Sequence, residues 1–275
     1  STGSRLLSGD YHYFHSLEAY ITKLKKTESA LFFSSGYQAN IGILSTLFTK
    51  NDIIFADKYC HASLIDGIRL SGAKLVRYHH GDYTHLEKRL QDYLLNKKSE
   101  SNYDKALIVS EAIFSMDGDL ADINTLIKLK KKYKTQLMID EAHAIGILGE
   151  KGAGIVQFED NDIDFLVGTC GKAIGGSGAY LSCSQSIKHD LINHCRSFIY
   201  STALPPIVAN WNLNALKKIS TMDEQREGLL EIAAYFREEL KRQGWDVLGD
   251  SHIVPIRIGE NKSTVKLAKY LQENG

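Results

Sequence analysis

Short apolar runs alternate along this chain with stretches whose apolar residues recur every three or four positions. Residues 30–33, 53–55, 74–78, 106–109, 137–139, 165–167 and 179–182 have the length and character of strands. Residues 39–48, 61–70, 86–94 and 123–133 carry helical spacing between them. Short strands without polar alternation are buried on both faces, and the helices between them act as crossovers. The pattern predicts an α/β fold with a mostly parallel central sheet covered by helices.

After Pro205-Pro206 the pattern changes. Residues 207–219 and 226–242 read as long helices, 252–258 as a strand, and 264–272 as a last helix with Asn274-Gly275 as its cap. This predicts a large domain over 1–220. Residues 221–275 would form a connecting helix and the start of a smaller, incomplete C-terminal α/β domain. The chain begins at Ser1 without a methionine and stops just after a helix, so we expect it to be part of a longer protein.

Composition narrows the function classes. Lys plus Arg and Asp plus Glu are 33 each, a zero balance that argues against a nucleic-acid or membrane-surface partner. No apolar run approaches the roughly 18 residues of a spanning helix. No basic-then-apolar leader opens the chain. The cysteines Cys60, Cys170, Cys183 and Cys195 form no C-x-x-C pair, which fits a reducing, cytoplasmic setting.

Five segments carry candidate chemistry. Gly168-Thr-Cys-Gly-Lys172 puts one lysine among small residues that let a ligand approach the backbone. A poorly solvated lysine has a lowered pKa and favours a Schiff base. The segment is no Walker A loop, because its glycine run is too short and Ala173 replaces the required hydroxyl. Leu137-Met-Ile-Asp-Glu-Ala-His143 puts Asp140 at a strand end, where α/β sheets place ligand groups, with His143 three residues on. The letters D-E-A-H also occur in helicases, but no phosphate loop precedes them. Phe33-Ser-Ser-Gly-Tyr-Gln-Ala-Asn40 runs from a strand through Gly36 and Tyr37 into a helix, whose free N–H groups can cradle a phosphate. His61-Ala-Ser63 opens a helix, so His61 is either its cap or a ring-stacking group. Glu111-Ala-Ile-Phe-Ser-Met-Asp-Gly118 leads into a polar turn with Ser115 as a hydroxyl donor.

The order cradle, histidine, polar turn, strand-end aspartate, lysine resembles fold-type I enzymes that use pyridoxal 5′-phosphate (PLP). More narrowly, it resembles the α-oxoamine synthases, which condense an amino acid with an acyl thioester and release carbon dioxide. Gly3-Ser-Arg-Leu-Leu-Ser-Gly9, His15-Ser-Leu-Glu18, Ser35-Gly-Tyr-Gln-Ala-Asn40, His61-Ala-Ser-Leu-Ile-Asp-Gly67, Phe114-Ser-Met-Asp-Gly118, Asp140-Glu-Ala-His143 and Gly168-Thr-Cys-Gly-Lys-Ala173 look like family motifs in family order. Within the family, Phe198-Ile-Tyr-Ser-Thr-Ala-Leu-Pro-Pro206 and Asp140-Glu-Ala-His-Ala-Ile-Gly146 look most like the branch that joins L-alanine to a pimeloyl thioester of CoA or a carrier protein. The branch that uses glycine and acetyl-CoA is the alternative.

The resemblance implies a role for each position. Lys172 would be the Schiff-base lysine and proton shuttle. Asp140 would pair with the pyridine nitrogen, and His143 and Ser115 with the ring oxygen. His61 would stack on the ring and orient substrate. Gly36, Tyr37 and the Thr169 hydroxyl would hold the phosphate. Ser201 and Thr202 would reach the partner subunit's phosphate, implying a homodimer with shared active sites. No metal is implied. Cys170 stands where the family often has a larger apolar residue. The family's substrate-carboxylate arginine has no match before Gly275. A non-catalytic paralogue serving as a binding subunit would be expected to lack the lysine, yet Lys172, Asp140 and His143 are all present.

Overall fold

The computed structural model describes residues 3–96, 103–154 and 162–274. Strands β1 (Ser29–Phe33), β2 (Ile53–Asp57), β3 (Lys74–Tyr78), β4 (Ala106–Glu111), β5 (Gln136–Asp140), β6 (Phe165–Thr169) and β7 (Ala179–Cys183) form one sheet in the order β1-β7-β6-β5-β4-β2-β3. From β3 to β6 every neighbouring pair is parallel, and β7 is antiparallel to both β6 and β1. Strands β1, β2 and β7 are buried along their whole length, which is why they read as unbroken apolar runs. At the edge, β3 exposes Lys74, and such charge discourages pairing with another sheet edge.

Helices α1 (His12–Lys25), α2 (Gly36–Leu47), α3 (Ala62–Ser71), α4 (Tyr83–Leu90), α5 (Ile123–Tyr133), α6 (Gln185–His194), α7 (Arg196–Ile199) and α8 (Pro206–Ile219) surround the sheet. One core joins Ile43, Leu44, Leu64 and Ile68 of α2 and α3 to Leu31, Ile54, Val109 and Leu181 of the sheet. Another joins Phe14, Leu17 and Ile21 of α1 and Leu216 of α8 to Phe32 and Tyr180. Cys170 is buried in this second core, and burial pushes its thiol up to about 12. It is an inert packing group.

Two local differences from expectation have physical causes. Helix α1 was not among the expected elements. Its buried face carries Glu18 and Lys25 besides Phe14, Leu17 and Ile21, so the apolar stripe is interrupted by charge. Glu18 is held by Arg5 and by Lys188, and it accepts the Phe32 N–H at 2.9 Å. The expected strand over 252–258 does not form. It reduces to one antiparallel bridge between Val247 and Ile256, because Pro255 lacks a donor and, among the described residues, no neighbouring strand completes a ladder.

The chain divides into two compact units. The first comprises 1–112 and 121–223, and the second 113–120 and 224–275. The second holds α9 (Asp223–Arg242) from Glu224 onward and α10 (Asn261–Glu273). The turn 113–120 belongs to it: Gly118 O accepts the N–H groups of Asp250 at 3.2 Å and Ser251 at 3.1 Å. Gly118 has φ of 68°, and a Cβ there would lie 2.5 Å from Ile253 O. The capping Gly275 lies outside the described residues. Among those described, no helix is long and apolar enough to cross a membrane.

Candidate active site

Thr169, Asp140, Glu111 and Asp57 end the adjacent parallel strands β6, β5, β4 and β2 at the same edge of the sheet. The side chains there are polar because the strands have run out of apolar cover, and a crevice at this edge is where open α/β sheets bind ligands.

Asp140 is buried and anchored twice. Its Oδ1 accepts the Ala142 N–H at 2.9 Å, and its Oδ2 accepts from Asn40 Nδ2 at 2.8 Å. Asn40, on α2, also donates to Ser63 Oγ at 2.9 Å. Ser63 Oγ in turn lies 2.8 Å from His61 Nδ1. A continuous chain of hydrogen bonds therefore links the strand-end aspartate to the histidine that opens α3. His61 is that helix's N-cap, with its Nδ1 accepting the Ser63 N–H at 3.2 Å. The cap fixes one ring edge and leaves the imidazole part-exposed for stacking.

Lys172 follows β6 in the glycine loop, and its Nζ lies 2.5 Å from His143 Nε2. The residue as a whole is exposed, yet burial around its amine is the first cause that lowers its pKa, with Asp140 and Glu111 opposing. The loop packs tightly at Gly178, where φ is 92° and a Cβ would sit 2.3 Å from Phe32 Cζ. Such a contact excludes any larger residue.

The cradle is formed at the start of α2. Ser35 caps the helix: its Oγ takes the Gln38 N–H at 3.2 Å and its carbonyl takes the Ala39 N–H at 3.0 Å. Among the described residues nothing accepts the N–H groups of Gly36 and Tyr37. A Cβ on Gly36 would meet nothing closer than Thr169 Cβ at 4.0 Å. Two free donors beside open space suit an anion. The Tyr37 side chain is no core aromatic. It is 45% exposed and its hydroxyl donates to Asp66, which raises its pKa. Thr169 Oγ1 accepts the Gly171 N–H at 3.2 Å and donates to Gly178 O at 3.1 Å, so its hydroxyl must turn to reach a phosphate.

Ser201 and Thr202 pack against the same turn of their own chain. Ser201 Oγ accepts from Gln38 Nε2 at 3.2 Å, and Thr202 O accepts from Ser34 Oγ at 3.5 Å. The Thr202 residue is exposed. Ser115 lies in the turn that belongs to the second unit.

Three residues of this site were not singled out from sequence. Asn40 and Ser63 lie inside recognised motifs, but their roles depend on neighbours 100 and 23 residues away. Glu111 ends β4, pairs in register with Asp140, and accepts the His61 N–H at 2.5 Å. A carboxyl ending a buried apolar strand was the signal.

The residues fit the PLP that the resemblance implies: free N–H donors for a phosphate, a buried aspartate for a ring nitrogen, and a lysine of lowered pKa for an aldehyde. Residues 1–275 match the family model described as aminotransferase class I and II. An 8-amino-7-oxononanoate synthase of Chlorobaculum parvum is 43% identical over 277 residues, covering 100% of this chain and 69% of that protein. The solved 8-amino-7-oxononanoate synthase of Francisella tularensis superposes with a TM-score of 0.84 at 33% identity, over 96% of this chain and 76% of its own. A serine palmitoyltransferase from S. paucimobilis, solved with a PLP–myriocin aldimine, superposes with a TM-score of 0.90 at 30% identity, over 100% and 70%. With residues 1–275 matched by the family model, this chain belongs to the class I and II aminotransferase family, and it is similar to 8-amino-7-oxononanoate synthases over its full length.

Proposed function

We propose that this protein is a PLP-dependent acyltransferase. In this reading it condenses L-alanine with a pimeloyl thioester of CoA or a carrier protein, releasing 8-amino-7-oxononanoate, carbon dioxide and the free thiol. The observation that carries the reading is the convergence of Lys172, His143 and Asp140 beside the open start of α2. Curated relatives named 8-amino-7-oxononanoate synthase, 43–46% identical over the full chain, favour alanine and a pimeloyl donor.

When bound, PLP supplies an electron-withdrawing ring that stabilises negative charge at the amino acid's Cα. The chain's own residues do the rest. Asp140 keeps a negative charge beside the ring nitrogen and is itself held by Asn40 and the Ala142 N–H. The N–H groups of Gly36 and Tyr37 hold the phosphate at the positive end of α2. His61 is steadied by Ser63 to lie against the ring and orient the amino acid. Lys172 Nζ removes the proton from Cα and returns one to the product carbon. Burial lowers its pKa against the pull of Asp140 and Glu111, and the His143 contact places it. Ser115 and His143 are assigned to the ring oxygen. Ser201 and Thr202 are assigned to the phosphate of a second copy in a homodimer. The compartment assigned is the cytoplasm.

The test is turnover with alanine or glycine against pimeloyl-CoA or acetyl-CoA. Preference for alanine and pimeloyl-CoA supports the reading. Preference for glycine and acetyl-CoA replaces it with the alternative branch that uses that pair. No thiol release from any pair, with no visible absorbance on adding PLP, points to a non-catalytic binding subunit.

A further inference from the structure

We propose that Glu111 is a positioning residue of this site, holding the His61 backbone and imidazole in place as an uncharged carboxylic acid paired with the Asp140 carboxylate. Glu111 and Asp140 are register partners on the parallel strands β4 and β5. Register partners on neighbouring strands project from the same face of a sheet. Both are buried, at 4% and 7% exposure. Two carboxylates side by side and out of water cannot both ionise without a large penalty, so one retains its proton.

The hydrogen bonds decide which one. Asp140 collects two donors, Asn40 Nδ2 and the Ala142 N–H. Glu111 collects one, the His61 N–H at 2.5 Å. Asp140 is therefore the better-supported anion and Glu111 the neutral partner. The charged and titratable groups around Glu111 are Asp140 from β5, Asp57 from β2, Lys172 from the glycine loop, and Cys60 and His61 just before α3. Burial and the two carboxyls outweigh the His61 N–H and the one ammonium, and the Glu111 carboxyl is pushed up to about 8.

The consequence reaches His61 because its N–H is the one Glu111 binds and its ring is set by the cap that follows. Glu111 thus acts on the stacking ring through the backbone and touches no substrate.

Two measurements test this. In the wild-type protein, the Glu111 carboxyl carbon is followed by 13C NMR and identified by its loss in Glu111→Gln. A titration midpoint above pH 7 is expected, and a midpoint below pH 6 overturns the proposal. The second measurement rests on the PLP reading and compares PLP affinity at pH 7. A glutamine carbonyl can still accept the His61 N–H, so Glu111→Gln should bind within about threefold of wild type. Glu111→Ala leaves that donor unpaired and should bind at least about tenfold more weakly. Glutamine and alanine variants equally impaired would show that the carboxylate charge is what matters. If wild type itself binds no PLP, the PLP reading fails, and the NMR midpoint alone decides on the carboxyl pair.

Discussion

The amine of Lys172 lies 2.5 Å from Nε2 of His143, so the lysine of the glycine loop and the imidazole three residues beyond Asp140 share one hydrogen bond. No other lysine occupies the loop 169–178. Lys172→Ala should therefore abolish turnover and leave the fold intact. PLP should still associate through its phosphate, without the visible absorbance of the lysine-bound form. The check is turnover and absorbance in a preparation free of wild-type enzyme. Substantial residual turnover would falsify the role of Lys172.

Asp140 is the group that Asn40 and the Ala142 N–H hold in place. Asp140→Asn keeps the shape but removes the charge that the proposed function sets beside the ring nitrogen. A charge-assisted hydrogen bond of this kind is worth roughly 1.5–3 kcal/mol. The exchange of alanine's α-proton with solvent should slow by about tenfold to a hundredfold or more. An unchanged exchange rate would remove Asp140 from this role.

Much of this arrangement was legible because chemistry and backbone signals coincide. The strand ends of β5 and β6 are marked by an apolar run giving way to Asp140 and Thr169, and the α2 start by Ser35 and Gly36. The positions of Asn40, Ser63 and Glu111 were not legible as roles. Each is a polar residue whose partner is supplied by another element, and sequence gives no measure of that proximity. The same reason hid α1, where Lys25 and Glu18 occupy the buried face and find their partners in residues 141, 5 and 188. The segment 252–258 misled in the opposite way. Its apolar residues suit a strand, but a strand exists only with a ladder partner.

The buried Lys25–Glu141 pair offers a stability test separate from chemistry. Both side chains are inaccessible to solvent. Lys25 also donates to Ala153 O, and the Tyr180 hydroxyl donates to Glu141 Oε1 at 2.8 Å. Burial lowers the Lys25 pKa and raises that of Glu141, each resisted by the partner's charge. Removing one partner strands the other. Lys25→Met or Glu141→Gln alone should cost about 3–5 kcal/mol, and the double variant should recover part of it. Denaturant midpoints measure this. Additive losses in the double variant would mean the two groups do not act as a pair.

Thr202 decides between sites within one chain and sites shared by two. Its segment packs on its own chain's α2 start through Ser201 and Gln38, while the Thr202 residue is exposed. Our assignment places its hydroxyl on a second copy's phosphate. Thr202→Val should then weaken PLP binding by about tenfold to a hundredfold with the dimer intact. A mixed dimer of Lys172→Ala and Thr202→Val subunits puts both defects in one site if the contact crosses. About half the wild-type activity is then expected at low PLP. Near-zero activity there, or a monomer by sedimentation at micromolar concentration, would refute the crossing contact.

Glu111 gives the stability of the protein a pH dependence whose sign is opposite to that of a salt-bridged carboxylate. Its folded-state pKa is raised from 4.5 to about 8, first by burial and then by Asp140. Between these values the unfolded chain releases the proton and the folded chain keeps it. The unfolded state then binds fewer protons, so stability falls as pH rises through this window. A tenfold difference in proton affinity between the two states is worth about 1.4 kcal/mol. Glu111→Gln has no proton to lose. Its melting temperature relative to wild type should therefore rise steadily from pH 5 to pH 8 and level off above that. Thermal melts of the two proteins in parallel buffers provide the measurement. A constant difference across the window would mean that Glu111 titrates at its ordinary value and carries its charge in the folded protein.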